Sequence, residues 1–251
     1  METTIFKNFI ERIGNRELTT VLKAIKEGTF KTKIELLRNS QDKNEKKKIK
    51  NSLYAFTPSM TLYTDRKISE GDTYTGLIHL DYDNIDDVSK TIKYIKSIAY
   101  TYACFISPSG NGVKVFVRVS NGMDKHKDAF NILRNYYDTR IGEVSDNSVK
   151  DLNRLCFVSH DPGLYLNKDS KVFNYLNFIN NKTLEDIWAF TLRKESYIDG
   201  NRNNFIHLFA CNANRSGIDI NEVQKYCSTL GDSTISYEEI QKTIESAYEN
   251  N

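Results

Sequence analysis

The strongest constraint on the fold is the order of strand and helix patterns that begins near residue 76. GLIHLDYD predicts a strand, DDVSKTIKYIKSIA an amphipathic helix, and ACFIS and GVKVFVRV two strands joined by a glycine-rich turn. A helix over DKHKDAFNILRNYYDTR and a strand at RLCFVSH follow. This β-α-β-β-α-β order is typical of the ferredoxin-like (RRM-like) split unit, in which helices cover one face of an antiparallel sheet. We therefore predict an α+β fold whose other sheet face is open to a substrate.

The flanking regions differ from this unit in pattern. Apolar spacing predicts helices in the first fifty residues, which end in the lysine-rich run DKNEKKKIK, and residues 53–75 read as irregular strands. From residue 181 onward the chain reads as a small all-helical module. The predicted organisation is therefore a domain over 1–180, with an N-terminal module over about 1–75 and a core over about 76–175, followed by the helical module over 181–251.

Composition excludes several classes of protein. With 35 Lys and Arg against 33 Asp and Glu, contact with nucleic acid would depend on local clusters such as the lysine-rich run, which is either a solvated helix face or a phosphate-tracking patch. The cysteines form no C-x-x-C pair, which argues against a structural zinc site and predicts reduced, mostly buried thiols. No apolar stretch approaches the roughly 20 residues that span a bilayer. We expect a monomeric cytoplasmic protein with no membrane contact.

The first candidate site is the acidic pair in HLDYD. His79, Asp81 and Asp83 share one face of the predicted strand, because side chains two residues apart point the same way. Neighbouring carboxylates repel one another unless a cation lies between them, and a pair of divalent metal ions is a common solution. Oxygen ligands favour magnesium or manganese. The same D-x-D pattern also occurs at strand ends and in glycosyltransferases, so this motif alone leaves the chemistry open.

The second candidate site is the turn and strand in SPSGNGVKVFVRV. Gly110 and Gly112 allow backbone amides to approach a phosphate, and Ser107 and Ser109 can add hydroxyl groups. Lys114 supplies a positive charge for a triphosphate. An ordinary hairpin whose turn needs glycine would give a similar pattern. We retain it as a candidate site because its strand is expected to lie near the strand that carries Asp81 and Asp83.

The third candidate site is in EVSDNSVKDLNRLCFVSHDP. Either Asp146 or Asp151 could supply a third carboxylate to a metal site, and both could equally be turn or cap residues. Arg154 could hold a phosphate, a base or a sugar through its planar guanidinium group.

Taken together, HLDYD, SGNGVKVFV and SDNSVKDLNRLCF resemble the three motifs of the archaeo-eukaryotic primase superfamily. The resemblance is greatest to its primase-polymerase branch, which includes forms found with mobile elements and CRISPR loci. It covers about residues 53–175 and rests on motif order and spacing. It implies a DNA primase and polymerase that starts and extends primers on a single-stranded DNA template. The implied substrates are NTPs or dNTPs, and the implied cofactors are two ions of Mn²⁺ or Mg²⁺.

The resemblance also implies roles for individual residues. Asp81, Asp83 and Asp146 become catalytic metal ligands, with Asp151 as the alternative to Asp146; the following Asn-Arg pair favours Asp146. The implied nucleotide-binding residues are Ser107, Ser109, Gly110, Gly112, Lys114, Arg154 and His160. The helical module resembles one that often follows the catalytic core, and the candidate contacts to template or initiating nucleotide are Arg66, Arg202, Asn203 and Arg215. One departure is that many members carry Ser-x-His where this chain has Gly112 and Lys114.

Other functions use parts of the same pattern. A metal-dependent nuclease would need the same acids and lysine. A non-catalytic module that binds single-stranded nucleic acid could keep the fold, but acids on its ligand face would oppose binding. A rolling-circle initiator needs a His-x-His pair, which the sequence lacks, and a sugar transferase finds support only in D-x-D.

Overall fold

The computed structural model describes residues 1–64, 66–174, 183–228, 230–231 and 235–249. The chain divides into two compact units, Met1–Tyr175 and Leu176–Asn251. The first unit contains, in chain order, β1 (Glu2–Lys7), β2 (Glu11–Glu17), α1 (Leu18–Glu27), α2 (Lys31–Asn39), α3 (Lys43–Asn51), β3 (Tyr54–Thr57), β4 (Met60–Thr61), β5 (Thr73–Tyr74), β6 (Leu77–Tyr82), α4 (Val88–Ser97), β7 (Thr101–Ile106), β8 (Val113–Arg118), α5 (His126–Ile141), β9 (Cys156–Phe157) and β10 (Tyr165–Leu166).

The central sheet has the strand order β10-β7-β8-β6, and all its pairings are antiparallel. The order β6-α4-β7-β8-α5 confirms the predicted α+β class and most of the split unit. The last strand differs from the prediction, because β9 pairs with β3 in a second sheet of order β2-β1-β3-β9. Beside β6, the amide of Asp146 donates to the carbonyl oxygen of Asp81 at 2.8 Å, so a loop takes the edge where that strand was expected.

The central sheet is covered on both faces, so the prediction of an open face is wrong. On one face Tyr82 donates a hydrogen bond to Asp138 of α5 at 2.8 Å. On the other face Phe116 lies in one apolar cluster with Leu22 of α1 and Phe56 of β3. Helix α5 thus covers one face of the sheet, and α1 with β3 covers the other. As far as the described residues show, a substrate would reach this sheet at its ends and edges.

The helical prediction for the first fifty residues is wrong for residues 2–17, which form the β1–β2 hairpin. Its residues are largely polar and carry little period-2 alternation. The hairpin is held by distant partners, because β1 pairs with β3 and the Thr3 hydroxyl donates to the Thr57 carbonyl at 2.7 Å. Local periodicity does not reveal pairing between strands that lie about fifty residues apart.

The second unit is helical over its described residues, with α6 (Leu184–Thr191), α7 (Arg202–Arg215), α8 (Ile220–Cys227) and α9 (Tyr237–Glu249). Its core includes the buried Phe205 and Phe209, and the partly buried Trp188 packs against them with ring centroids 4.6 and 5.1 Å away. The predicted cap at Asp219 is present, since its carboxylate accepts from the amide of Asn221 at 2.9 Å.

All four cysteines are buried and free, as predicted. Among the described residues, no helix has the length and apolar character needed to cross a membrane.

Candidate functional site

The acidic end of β6 brings a buried ion pair to one end of the central sheet. Asp81 lies opposite Lys114 of β8 in the strand register, and the Lys114 ammonium contacts Asp81 Oδ2. Both residues are only 8% exposed. Asp83 follows the end of β6 and is exposed to solvent. Of the two acids, Asp81 is therefore buried within the strand, and Asp83 is exposed just beyond the strand end.

Asp81 has acceptor capacity that the described protein groups leave unused. Its second oxygen, Oδ1, is buried and has no hydrogen-bond partner among the described residues. Burial raises the pKa of Asp81, and the nearby charge of Asp83 adds to the effect, while Lys114 opposes it. A buried carboxylate with an unsatisfied oxygen is costly unless a donor or cation reaches it. This atom fits a divalent cation.

Lys114 and His79 differ in the charge they carry at this site. Burial acts to lower the pKa of Lys114, but the adjacent Asp81 carboxylate outweighs it, so the pKa is raised and the ammonium stays charged. His79 lies further inside, stacked on Phe116 with ring centroids 6.0 Å apart, and burial lowers its pKa to about 3. His79 is therefore neutral, and the charged part of this strand face begins at Asp81.

The third motif reaches the same end of the sheet through Asp146. Its amide bonds to the Asp81 carbonyl, and its own carboxylate accepts from the amide and hydroxyl of Ser148 at 2.8 and 2.6 Å. Arg154 donates to the Ser148 hydroxyl at 3.0 Å. Partial burial acts to raise the pKa of Asp146, but these Ser148 bonds and the Arg154 charge outweigh it and lower the pKa. Asp146 therefore stays ionised beside Asp81.

Asp151 faces a different part of the molecule. It is exposed and forms an ion pair with Lys127 of α5 at 3.7 Å. Across the described residues, no three His, Cys, Asp or Glu side chains converge as a metal-binding group. The carboxylates of Asp81 and Asp146 are instead engaged by Lys114 and Ser148. An ion shared by the two acids would reach Asp81 through its unpartnered Oδ1, whereas at Asp146 it would compete with the Ser148 amide and hydroxyl for the two oxygens.

The glycine-rich turn lies against the acidic end of β6. The Asn111 side chain donates to Asn84 Oδ1 at 3.0 Å, directly after Asp83. A Cβ atom added at Gly112 would lie 2.2 Å from the Tyr82 carbonyl oxygen, so the chain passes there only because this residue has no side chain. The Ser107 hydroxyl is buried and, within the described structure, has no hydrogen-bond partner. A second unsatisfied polar group thus lies in this turn.

The close approach at Gly112 leads to a stability prediction. We expect Gly112→Ala to lower the free energy of unfolding by about 3 kcal/mol, because the methyl group would meet backbone rather than a movable side chain. Gly142→Ala is the control: its Cβ would meet open space, and its φ of +79° costs only about 1 kcal/mol. Urea unfolding measures both variants. Equal losses would contradict the close approach.

Arg38 is a contributor to this region that sequence reasoning missed. It extends from α2 and donates to the carbonyl oxygens of Ser107 at 3.0 Å, Pro108 at 3.2 Å and His160 at 3.2 Å. The guanidinium group thereby ties the glycine-rich turn to the segment after β9. In the sequence Arg38 is an ordinary basic residue near a helix end. Its partners lie about 70 positions away in the turn and 122 positions away at His160, and no local signal marks it.

The remaining predicted site residues lie in several places. The His160 ring lies against the C-terminal end of α1, with Nδ1 3.4 Å from the Ile25 carbonyl oxygen. Arg66 is in the N-terminal region, and its carbonyl oxygen accepts from Asn153 of the third motif at 2.6 Å. Three residues belong to α7 of the second unit: Arg202, which lies 5.4 Å from the Tyr197 ring, and the exposed Asn203 and Arg215.

Comparison with known proteins gives two matches along the chain. Residues 48–166 match the family model described as BT4734-like, N-terminal domain, and residues 191–251 match the one described as Primase C terminal 1 (PriCT-1). No curated protein matches the chain. A crystal structure of primase RepB′ is similar at 11% identity and a TM-score of 0.34, covering 98% of this chain and 88% of that one. The C-terminal residues 191–251 are thus similar to a domain described from primases.

Proposed function

We propose that this chain is a DNA primase of the primase-polymerase type, which joins nucleotides from triphosphates on a single-stranded DNA template. The observation that carries the proposal is the meeting of Asp81, Lys114 and Asp146 at one end of the central sheet. The glycine-rich turn with its unsatisfied Ser107 hydroxyl lies beside them. The match of the C-terminal residues to a primase domain supports the same class.

Asp81, Asp83 and Asp146 are the residues that would hold two divalent ions, Mn²⁺ or Mg²⁺. Carboxylate oxygens suit these ions, and Asp81 Oδ1 is available as a buried ligand. When bound, the ions would activate a 3′-hydroxyl group and stabilise charge on the triphosphate. We assign the third carboxylate to Asp146 rather than to Asp151, because the Asp146 amide bonds to the Asp81 carbonyl oxygen whereas Asp151 is exposed and pairs with Lys127.

The protein groups next to the acids would bind and orient the nucleotide. Lys114 and the Ser107 hydroxyl, which lie beside the acids, would contact triphosphate oxygens, and Arg154 would add positive charge from the third motif. The Gly110 amide already donates to the Ser107 carbonyl at 3.0 Å, so its part is to shape the turn. Arg38 is a positioning residue that holds this turn through carbonyl oxygens.

Primer synthesis on unprimed single-stranded DNA tests the proposal. Labelled NTPs and dNTPs are supplied in separate reactions with Mn²⁺, and the native chain is compared with the double variant Asp81→Ala, Asp83→Ala. We expect labelled primers from the native chain and none from the double variant, with circular dichroism confirming that both are folded. Shortening of the template without incorporation would indicate a nuclease. Binding of DNA without either reaction would indicate a non-catalytic module.

A further inference from the structure

Helix α3 carries a stripe of lysines that the proposed catalytic chemistry does not use. Lys43, Lys46, Lys47 and Lys50 follow the spacing i, i+3, i+4, i+7, which places them on one side of the helix. In the part of the chain that the structure describes, none of the four forms an ion pair. Glu45, the one acid within the helix, instead accepts from the Ser40 hydroxyl at 2.5 Å. The stripe therefore keeps its full positive charge.

Helix α3 is held in place mainly by contacts outside the lysine stripe. No residue of α3 is fully buried, and its apolar contact comes from the half-buried Ile49, which packs with Leu37 and Leu53. The helix start is stabilised by Asp42, whose carboxylate accepts from the amides of Asn44 and Glu45. Lysines three and four positions apart repel one another and weaken the helix. Lys50 gains one contact, because its ammonium lies 5.8 Å from the centroid of the Phe157 ring, but the repulsion within the stripe has no ion pair among the described residues to offset it.

The stripe faces a cleft that it shares with the glycine-rich turn. Lys46, Lys47 and Lys50 line this cleft together with Ser109. Its volume is about 190 Å³, below the roughly 300 Å³ at which pockets for whole small molecules begin. The cleft therefore suits a single phosphate group of a longer chain better than a complete nucleotide. Through Ser109 the cleft borders the glycine-rich turn that is part of the proposed nucleotide site.

We propose that the α3 stripe binds the phosphates of the single-stranded DNA template as the strand approaches the nucleotide site. Lys43 and Lys50 are separated by roughly 10 Å along the helix axis, enough to follow two or three phosphates. Serial lysines attract a phosphate backbone without reading its sequence, as template binding requires. This assignment rests on the proposed function for the identity of the strand, but binding can be measured without synthesis.

The test is fluorescence anisotropy of a labelled single-stranded DNA oligonucleotide at several salt concentrations, without nucleotides. The triple variant Lys46→Gln, Lys47→Gln, Lys50→Gln is compared with a control, Lys90→Gln, Lys168→Gln, Lys171→Gln, which removes the same charge from exposed lysines of α4 and the segment after β10. We expect about tenfold weaker binding from the α3 variant at low salt. The slope of log K against log salt should fall by about 2, and the control should change little.

Three results would overturn the assignment. They are no DNA binding by the native chain, equal weakening in the two triple variants, and unchanged DNA binding with a raised KM for the nucleotide in the α3 variant. The last result would assign the lysines to the triphosphate. Failure of the proposed function looks different: the α3 variant would still lose DNA binding selectively, while the native chain would incorporate no nucleotide.

Discussion

Asp81→Asn should reduce primer synthesis by about a thousandfold, equivalent to about 4 kcal/mol of transition-state stabilisation. The substitution keeps the shape of the side chain but removes the charge that would hold a divalent ion. It also leaves Lys114, a residue only 8% exposed, without its ionic partner. We therefore expect a second effect, a loss of about 3 kcal/mol in the free energy of unfolding.

A double variant separates these two effects. Asp81→Asn combined with Lys114→Met removes both members of the buried pair, and replacing such a pair with groups of similar volume is often neutral for stability. We expect the unfolding free energy of the double variant to recover most of the loss, while primer synthesis stays absent. Urea unfolding and primer synthesis are measured on the same preparations. If primer synthesis recovered together with stability, the role of Asp81 would be structural rather than catalytic.

The second large effect should distinguish the two aspartates of the third motif. We expect Asp146→Asn to lower primer synthesis by a hundredfold or more, about 3 kcal/mol, because Asp146 lies beside Asp81 and is held ionised there. Asp151→Asn is the matched control, since it makes the same chemical change five positions later, at an exposed carboxylate paired with Lys127. An exposed pair of this kind contributes little to stability.

Single-turnover incorporation onto a primed template measures both variants without the initiation step. Activity near that of the native chain is expected for Asp151→Asn. The reverse order, with Asp151→Asn inactive and Asp146→Asn active, would mean that the loop around Asp146 rearranges when template and nucleotide bind. Equal activity in both variants would mean that neither aspartate supplies a third carboxylate to the proposed site.

The split unit could be predicted because its signals are local. The strands β6, β7 and β8 and the helices α4 and α5 follow hydrophobic periods of two and 3.6 residues, and glycines mark the turn between β7 and β8. The expectation that the lysine strand lies near the acidic strand is confirmed by the pairing of Asp81 with Lys114. Alternation within each strand then placed both side chains on the same face.

The features that sequence reasoning missed depend on long-range packing. The second sheet covers the face that was expected to be open, and its strand β9 contributes only two residues, Cys156 and Phe157. Such a short strand carries no period, and its partner β3 lies about a hundred residues earlier. Arg38 was missed for the same reason, because its acceptors are backbone carbonyl oxygens of distant segments. Every residue has a backbone carbonyl oxygen, so the residue types in the sequence do not indicate which of them accept from Arg38.

The most direct measurement is anomalous diffraction from crystals grown with Mn²⁺ and a non-hydrolysable nucleoside triphosphate. We expect two manganese peaks roughly 3.5–4 Å apart, bound by Asp81, Asp83 and Asp146, with the phosphates next to Lys114 and Ser107. Manganese bound elsewhere, or no manganese near Asp81 with the nucleotide in place, would contradict a catalytic site built from these three acids.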